Sequence, residues 1–269
     1  MRRLAVLLLV STTTAAGWQA PVPASTGQAP PAVSSTASPK IWIGRNAEME
    51  AYLRATPFTR VEEIPIGVTK PRRGYFAPGG PVASAAWKAL RPGRPNGFWE
   101  SYKSEIAAYE LDKYLGMNMV PPAVEKTWKG DRGAAVLWVE GVRQWKAVEN
   151  LPKPDSWNLE AIRMKMFDNL IGNSDRNAGN FLVDDGWNLV LIDHSRAFVN
   201  DSKLPFPMVR IDRGLWDKML ALDEAGLTAA LNPWIDRGSV RAMLKRRDKM
   251  QEVVSKLVKN SSEAAVFIR

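Results

Sequence analysis

Hydrophobic and polar positions change period several times along the chain. Ala47 to Arg54 carries apolar residues at helical spacing and predicts a short amphipathic helix, preceded by Ile41-Trp42-Ile43 as a strand or docking segment. Glu62–Val68, Gly74–Ala77 and Val82–Leu90, separated by Pro and Gly, predict three antiparallel strands. The basic turn Thr69-Lys70-Pro71-Arg72-Arg73 joins the first two. Phe98–Leu115 returns to helical spacing through Ile106, Tyr109, Leu111 and Leu115, and Val120-Pro121-Pro122 ends it. Ala123–Trp128 and Ala134–Glu140 flank a Gly-containing turn and predict another hairpin. Val148–Trp157 reads as a loop, and Leu159–Ile171 as a helix stopped by Gly172-Asn173. Phe181–Val183 and Leu189–Ile192 flank Asp185-Gly186, a tight-hairpin signal. After Asn200 the pattern is helical: Asp212–Ala221, Glu224–Leu231 and the long Gly238–Lys259. The last turns Val240, Met243, Leu244, Met250, Val253, Val254 and Leu257 inward and puts Lys245-Arg246-Arg247 on a solvated face.

The N-terminus departs from this pattern. Met1-Arg2-Arg3, the apolar run Leu4–Val10 and the small residues to Gly17 read as a signal peptide over residues 1–17. The run is far shorter than the roughly 20 residues a membrane span needs. A retained anchor is the alternative. Residues 18–39 are rich in Pro, Ala, Ser and Thr without charge or periodicity, which predicts a disordered linker. A body with no cysteine then favours a bacterial envelope, secreted or periplasmic, over a disulfide-rich eukaryotic secreted domain. The absence of cysteine and the single histidine, His194, exclude thiolate and histidine-cluster zinc sites. The formal net charge is +9. Arg2 and Arg3 contribute two of that, leaving +7 on the body, a balance that favours polyanions from nucleotide phosphate to nucleic acid or anionic lipid.

Candidate chemistry concentrates in one run, Asn173-Ser174-Asp175-Arg176-Asn177-Ala178-Gly179-Asn180, followed by the hairpin and Asp193. A hairpin folding back on itself returns Asp193 to Asn180, with Asp175 just upstream. Asp and Asn are hard oxygen ligands of the kind that hold magnesium while leaving room for phosphate and water. Asp-x-x-x-x-Asn, a hairpin and a second Asp is the arrangement kinases use for an acceptor-orienting acid and two metal ligands.

The run resembles the catalytic loop of the atypical kinases: the secretory-pathway (Golgi casein kinase type) kinases, the phosphatidylinositol 3- and 4-kinases and the HipA-type kinases. These carry an Asn-x-Asp-Arg core, here Asn173-Ser174-Asp175-Arg176. The resemblance extends upstream. Ala85-Ala86-Trp87-Lys88-Ala89-Leu90 is similar to their lysine strand, and Ser104–Gly116 with Val120-Pro121-Pro122 to their glutamate-bearing helix and its exit. It implies an α+β, two-lobed protein kinase-like fold, with a β-rich N-lobe over 40–140 and a helical C-lobe over 141–269. It also implies roles. Asp175 is catalytic, Asn180 and Asp193 bind metal, Lys88 binds the α and β phosphates, and Glu105 positions Lys88, with Glu110 the nearby competitor. Lys70, in the basic turn, covers phosphate, and backbone near Val139 edges the adenine. The implied cofactors are ATP and Mg2+ or Mn2+. There are departures: no GxGxxG loop, and His194-Ser195 rather than Phe-Gly after Asp193. Position 180 is Asn as in the lipid kinases, where the secreted kinases have an acid, so the acceptor class stays open.

The expected function is phosphoryl transfer from a magnesium nucleotide to a hydroxyl of a protein, lipid or sugar. The expected protein is a monomer with no specific nucleic-acid partner and no transmembrane segment after signal removal. Transfer of a nucleotidyl group is an open variant. The rival classes are a catalytically inactive nucleotide-binding scaffold and a basic envelope protein that binds anionic polymers or lipids.

Overall fold

In the computed structural model, which describes residues 38–64, 72–95 and 97–268, the N-terminal alternation becomes a five-stranded antiparallel sheet. Helix α1 (Asn46–Ala55) precedes strands β1 (Arg60–Glu63), β2 (Arg72–Tyr75) and β3 (Ser84–Lys88). Helix α2 (Tyr102–Leu115) follows, then β4 (Ala123–Trp128) and β5 (Asp131–Leu137). The sheet order is β1-β2-β3-β5-β4, so β3 sits at its centre. Alternation assigns the faces. Ala85, Trp87, Ala135 and Leu137 are buried on one side with Trp42, Met49 and Leu53 of the α1 region, and Ala134 and Val136 pack on the other side against α2. Lys88, one residue on from Trp87, therefore points to the α2 side.

A second, three-stranded antiparallel sheet has the order β6 (Val142–Gln144), β7 (Phe181–Asp184), β8 (Leu189–Leu191). Helix α3 (Ser156–Ile171) leads into it. Beyond it lie β9 (Ile211–Asp212), α4 (Arg213–Leu220), α5 (Glu224–Leu231), α6 (Arg237–Asn260), α7 (Glu263–Val266) and β10 (Phe267–Ile268). The chain is thus mixed α+β, with a sheet-rich N-terminal part and a helical C-terminal part. Among the described residues no helix is long and apolar enough to cross a membrane.

Several sequence expectations are corrected. Ile41-Trp42-Ile43 is a turn that buries Trp42, not a strand. The first sheet strand starts earlier, at Arg60; residues 65–71, including Lys70, lie outside the described residues. Helix α2 begins at Tyr102 because Ser101 caps it, its hydroxyl accepting from Lys103 N at 3.1 Å. The helix ends at Gly116, left-handed at φ 64°, before the prolines are reached. The span Val148–Trp157, read as a loop, gives its last two residues to α3; β6 and a 3-10 turn, Trp145–Ala147, precede it. The β7–β8 loop is one residue longer than Asp185-Gly186 predicts, and Trp187 takes the left-handed position (φ 62°). Asp184 Oδ1 accepts from Asn188 N at 2.8 Å, and Trp187 packs edge-on against Trp157. Arg246 is not solvated. It is fully buried, its Nε donating to Leu170 O at 2.9 Å and its Nη1 to Val199 O at 3.0 Å and also to Asp201 O. It thereby satisfies a carbonyl that the end of α3 leaves without a helical partner. Burial pulls its pKa down to about 10.

Candidate active site

The end of α3 sets the site. Gly172 is left-handed (φ 69°), and a Cβ there would come within 2.9 Å of the Arg246 guanidinium carbon, so position and conformation both call for glycine. The chain then enters a loop fixed by buried side chains. Asn173 Nδ2 donates to Asp168 Oδ1 at 2.9 Å, and Asn173 Oδ1 accepts from Asp175 N at 3.2 Å. Asn173 thus orders the loop rather than capping a helix. Arg176 holds both Asp168 oxygens at 2.9 Å in a two-pronged pair buried from solvent. Its Nη1 also donates to Ile192 O at 2.8 Å and to Asn180 O, stitching the loop to the strand before Asp193.

Asn180 Nδ2 donates to Asp175 O at 2.7 Å, and Ile192 N donates to Asn180 O at 3.2 Å. Asp175, Asn180 and Asp193 are therefore linked through backbone at one end of the β7–β8 hairpin. Asp193 is itself left-handed, φ 59°. Its Oδ1 accepts from Lys88 Nζ at 2.9 Å and from Ser195 Oγ at 3.2 Å. Lys88 Nζ donates also to Glu105 Oε1 at 2.6 Å. Glu110 pairs with Lys113 instead. Lys88, Glu105 and Asp193 meet although they lie on β3, α2 and the segment after β8.

Burial alone would lower the Lys88 pKa, but Asp193 and Glu105 outweigh it and hold the ammonium above its ordinary value. Burial alone would raise the Glu105 carboxyl, but Lys88 and His194 bring it well below the usual carboxylate range. The His194 amide donates to Glu105 Oε2 at 3.0 Å. The His194 ring lies 2.8 Å from Arg176 Nη2. A guanidinium has no acceptor, so Nε2 must accept and the proton sits on Nδ1. Burial lowers this histidine's pKa, with Glu105 opposing, and the ring packs edge-on against Phe167.

No family model matches this sequence, and no curated protein matches it. Its architecture is similar to that of the Golgi casein kinase solved with Mn/ADP bound. The TM-score is 0.66 at 17% identity, over 84% of this chain and 79% of that one. It is also similar to hydra Fam20 with sugar (TM-score 0.64, 17% identity, 82% and 91% coverage) and to the Helicobacter pylori proinflammatory kinase CtkA (0.50, 13%, 78% and 98%). The chain has an atypical-kinase fold.

Within that kinase fold, the donor set can be tested against a metal–nucleotide. Among the described residues Asn180 Oδ1 and Asp193 Oδ2 have no hydrogen-bond partner, and no three His, Cys, Asp or Glu side chains gather into a closed cage. Two hard oxygens without a cage fit a divalent cation that completes its shell with phosphate and water. The Lys88 ammonium lies beside this pair, 2.9 Å from Asp193 Oδ1. Val139 is buried among apolar side chains, so the side chain itself belongs to the core. Its backbone N–H and C=O make no backbone hydrogen bond among the described residues.

Sequence reasoning missed Asp168, Glu100 and Arg196. Asp168 sits in the last turn of α3 and gives no sign of itself beyond being an acid on an otherwise buried helix end. Glu100 and Arg196 pair at 3.0 Å across 96 residues. No local spacing reports such a contact.

Proposed function

We propose that the protein transfers a phosphoryl group from Mg- or Mn-bound ATP to a hydroxyl. The observation that carries this reading is the Lys88 ammonium held between Glu105 and Asp193. It joins the sheet, the helix and the metal-ligand segment at a single point. Glu105 fixes Lys88 where the α and β phosphates would lie. Asp193 and Asn180 hold the metal, which when bound neutralises phosphate charge. Asp175 accepts a hydrogen bond from the acceptor hydroxyl and takes its proton as the acceptor oxygen bonds to the γ-phosphorus and ADP leaves. Catalysis of this kind is positioning plus charge neutralisation, which these residues supply. The Mn/ADP of the Golgi casein kinase structure supports the choice of donor. The charged, apolar and small-residue succession of residues 1–17 argues for export, and so for an acceptor in the envelope or outside the cell.

The test is label transfer. The mature protein is incubated with γ- or α-labelled ATP, Mg2+ or Mn2+, and an envelope extract. Movement of the γ label alone is expected. Movement of the α label would make the enzyme a nucleotidyltransferase, and tight nucleotide binding with neither label moving would make it a scaffold.

A further inference from the structure

Arg196 has no place in the motif, yet it sits at the junction of the site. Its Nε and Nη2 donate to Glu100 Oε1 at 3.1 and 3.0 Å, and its Nη1 lies 3.3 Å from Asp175 Oδ2. Its guanidinium also lies 4.8 Å from the Phe98 ring centroid. The two acids differ in setting. Glu100 is 2% exposed and Asp175 about a third exposed. A buried carboxylate is stable only with a well-placed cation. Arg196 is the one cation paired with Glu100 among the described residues, so Glu100 anchors the guanidinium and its third nitrogen is presented to Asp175 as a fixed charge. Asp175 Oδ1 lies on the other side, 3.3 Å from Asn177 Nδ2.

We infer that Arg196 is a positioning residue for Asp175, held in place by the buried Glu100. The inference rests on the reading of Asp175 as the acceptor-orienting acid. Arg196 also walls a cavity of about 310 Å3 with Phe98, Trp99 and Ser174, the residue before Asp175. The arrangement couples two halves of the chemistry. Glu100 lies just before α2 and Glu105 within its first turn, and Ser101 N donates to Ser195 O at 2.9 Å. The start of α2 therefore grips the 193–196 segment at three points. It sets Lys88 through Glu105, and it sets Asp175 through Glu100 and Arg196.

The experiment compares wild type with Glu100→Gln, Arg196→Lys, Arg196→Ala and the double variant Glu100→Gln/Arg196→Met, which leaves no unpaired buried charge if Arg196→Ala fails to fold. Three quantities are read: the Asp175 carboxyl carbon resonance by NMR on the ligand-free protein, Mg-ATP affinity by calorimetry, and ADP release. The Asp175 resonance is expected to move in Glu100→Gln although Glu100 does not touch Asp175, and to move further in Arg196→Ala or the double variant. Mg-ATP affinity should stay within about twofold. ADP release should fall roughly 10- to 100-fold in Arg196→Ala, the scale of a misplaced reacting group, with partial recovery in Arg196→Lys. An Asp175 resonance unmoved by either single change overturns the inference, as does an equal loss of nucleotide affinity and turnover. If wild type neither binds nor turns over nucleotide, the phosphotransfer reading fails, while the resonance still decides whether Arg196 and Glu100 set Asp175.

Discussion

Asp112 shows what burial does to a single residue outside the site. It lies inside α2 and its Oδ1 accepts from Met119 N at 3.0 Å and Val120 N at 3.2 Å, fixing the turn after the helix. Burial pushes its carboxyl up to about 7, with the two amides and Lys40 pulling the other way. Lys40 is itself lowered by burial, opposed by Glu160, Asp112 and Asp184. The sign follows from linkage. A folded pKa above the unfolded value of roughly 4 makes a contribution that is complete below pH 4 and lost as pH rises through about 7. Asp112→Asn keeps the accepting oxygen and removes the charge. Its melting temperature should match wild type near pH 4 and exceed it by roughly 10 °C at pH 8, at about 1.4 kcal/mol per pH unit and about 2–4 °C per kcal/mol for a chain of this size. Scanning calorimetry at the two pH values checks this. Parallel pH profiles for the two proteins would show that Asp112 is not the titrating group.

At the scale of elements, β3 and α2 are joined by the partly buried Lys88 and the buried Glu105. Lys88→Ala strands the buried Glu105 and should lower stability by about 3–5 kcal/mol, whereas Glu105→Ala leaves Lys88 its bond to Asp193 and should cost less. The double variant should cost much less than their sum, because the stranded charge is then gone. Urea denaturation of the four proteins measures the cycle, and additive losses would separate the pair. These elements were legible in the sequence because their patterns are strong and local. The helical spacing of Ile106, Tyr109, Leu111 and Leu115, the apolar runs around Asp185-Gly186 and the amphipathic Gly238–Lys259 all become elements of the expected kind. The boundaries were less legible. The start of α2 depends on the Ser101 hydroxyl, and the β7–β8 loop length on Asp184 and the packing of Trp187 on Trp157. Arg246 was misread by its charge, although its place between Met243 and Met250 on the inward stripe is a signal that it is buried. The Glu100–Arg196 pair joins residues that no repeat or spacing relates. Only the packed α2 end brings them together.

For the molecule as a whole, the fold resembles the Golgi casein kinase at 17% identity, so it rests on few shared residues. The site draws one group from the central strand, one from α2, and the rest from the loop after α3 and the hairpin that follows it. The motif residues Asp175, Asn180 and Asp193 were readable because they are close in sequence. Lys88 and Glu105 were readable only through resemblance, and Asp168, Asn173 and Arg176 hold the loop that carries Asp175. The central claim is that Asp175 serves the acceptor and not the nucleotide. The direct measurement is a pair on wild type and Asp175→Asn: melting temperature with and without Mg-ATP, and transfer rate. Asp175→Asn keeps the residue's size, and the backbone bonds of Asp175 to Asn173 and Asn180 do not use its side chain. The same nucleotide-induced rise in melting temperature is expected, with a transfer rate lower by on the order of 10²-fold or more, the scale for losing a general base. Unchanged transfer, or equal loss of nucleotide stabilisation and transfer, would contradict that claim.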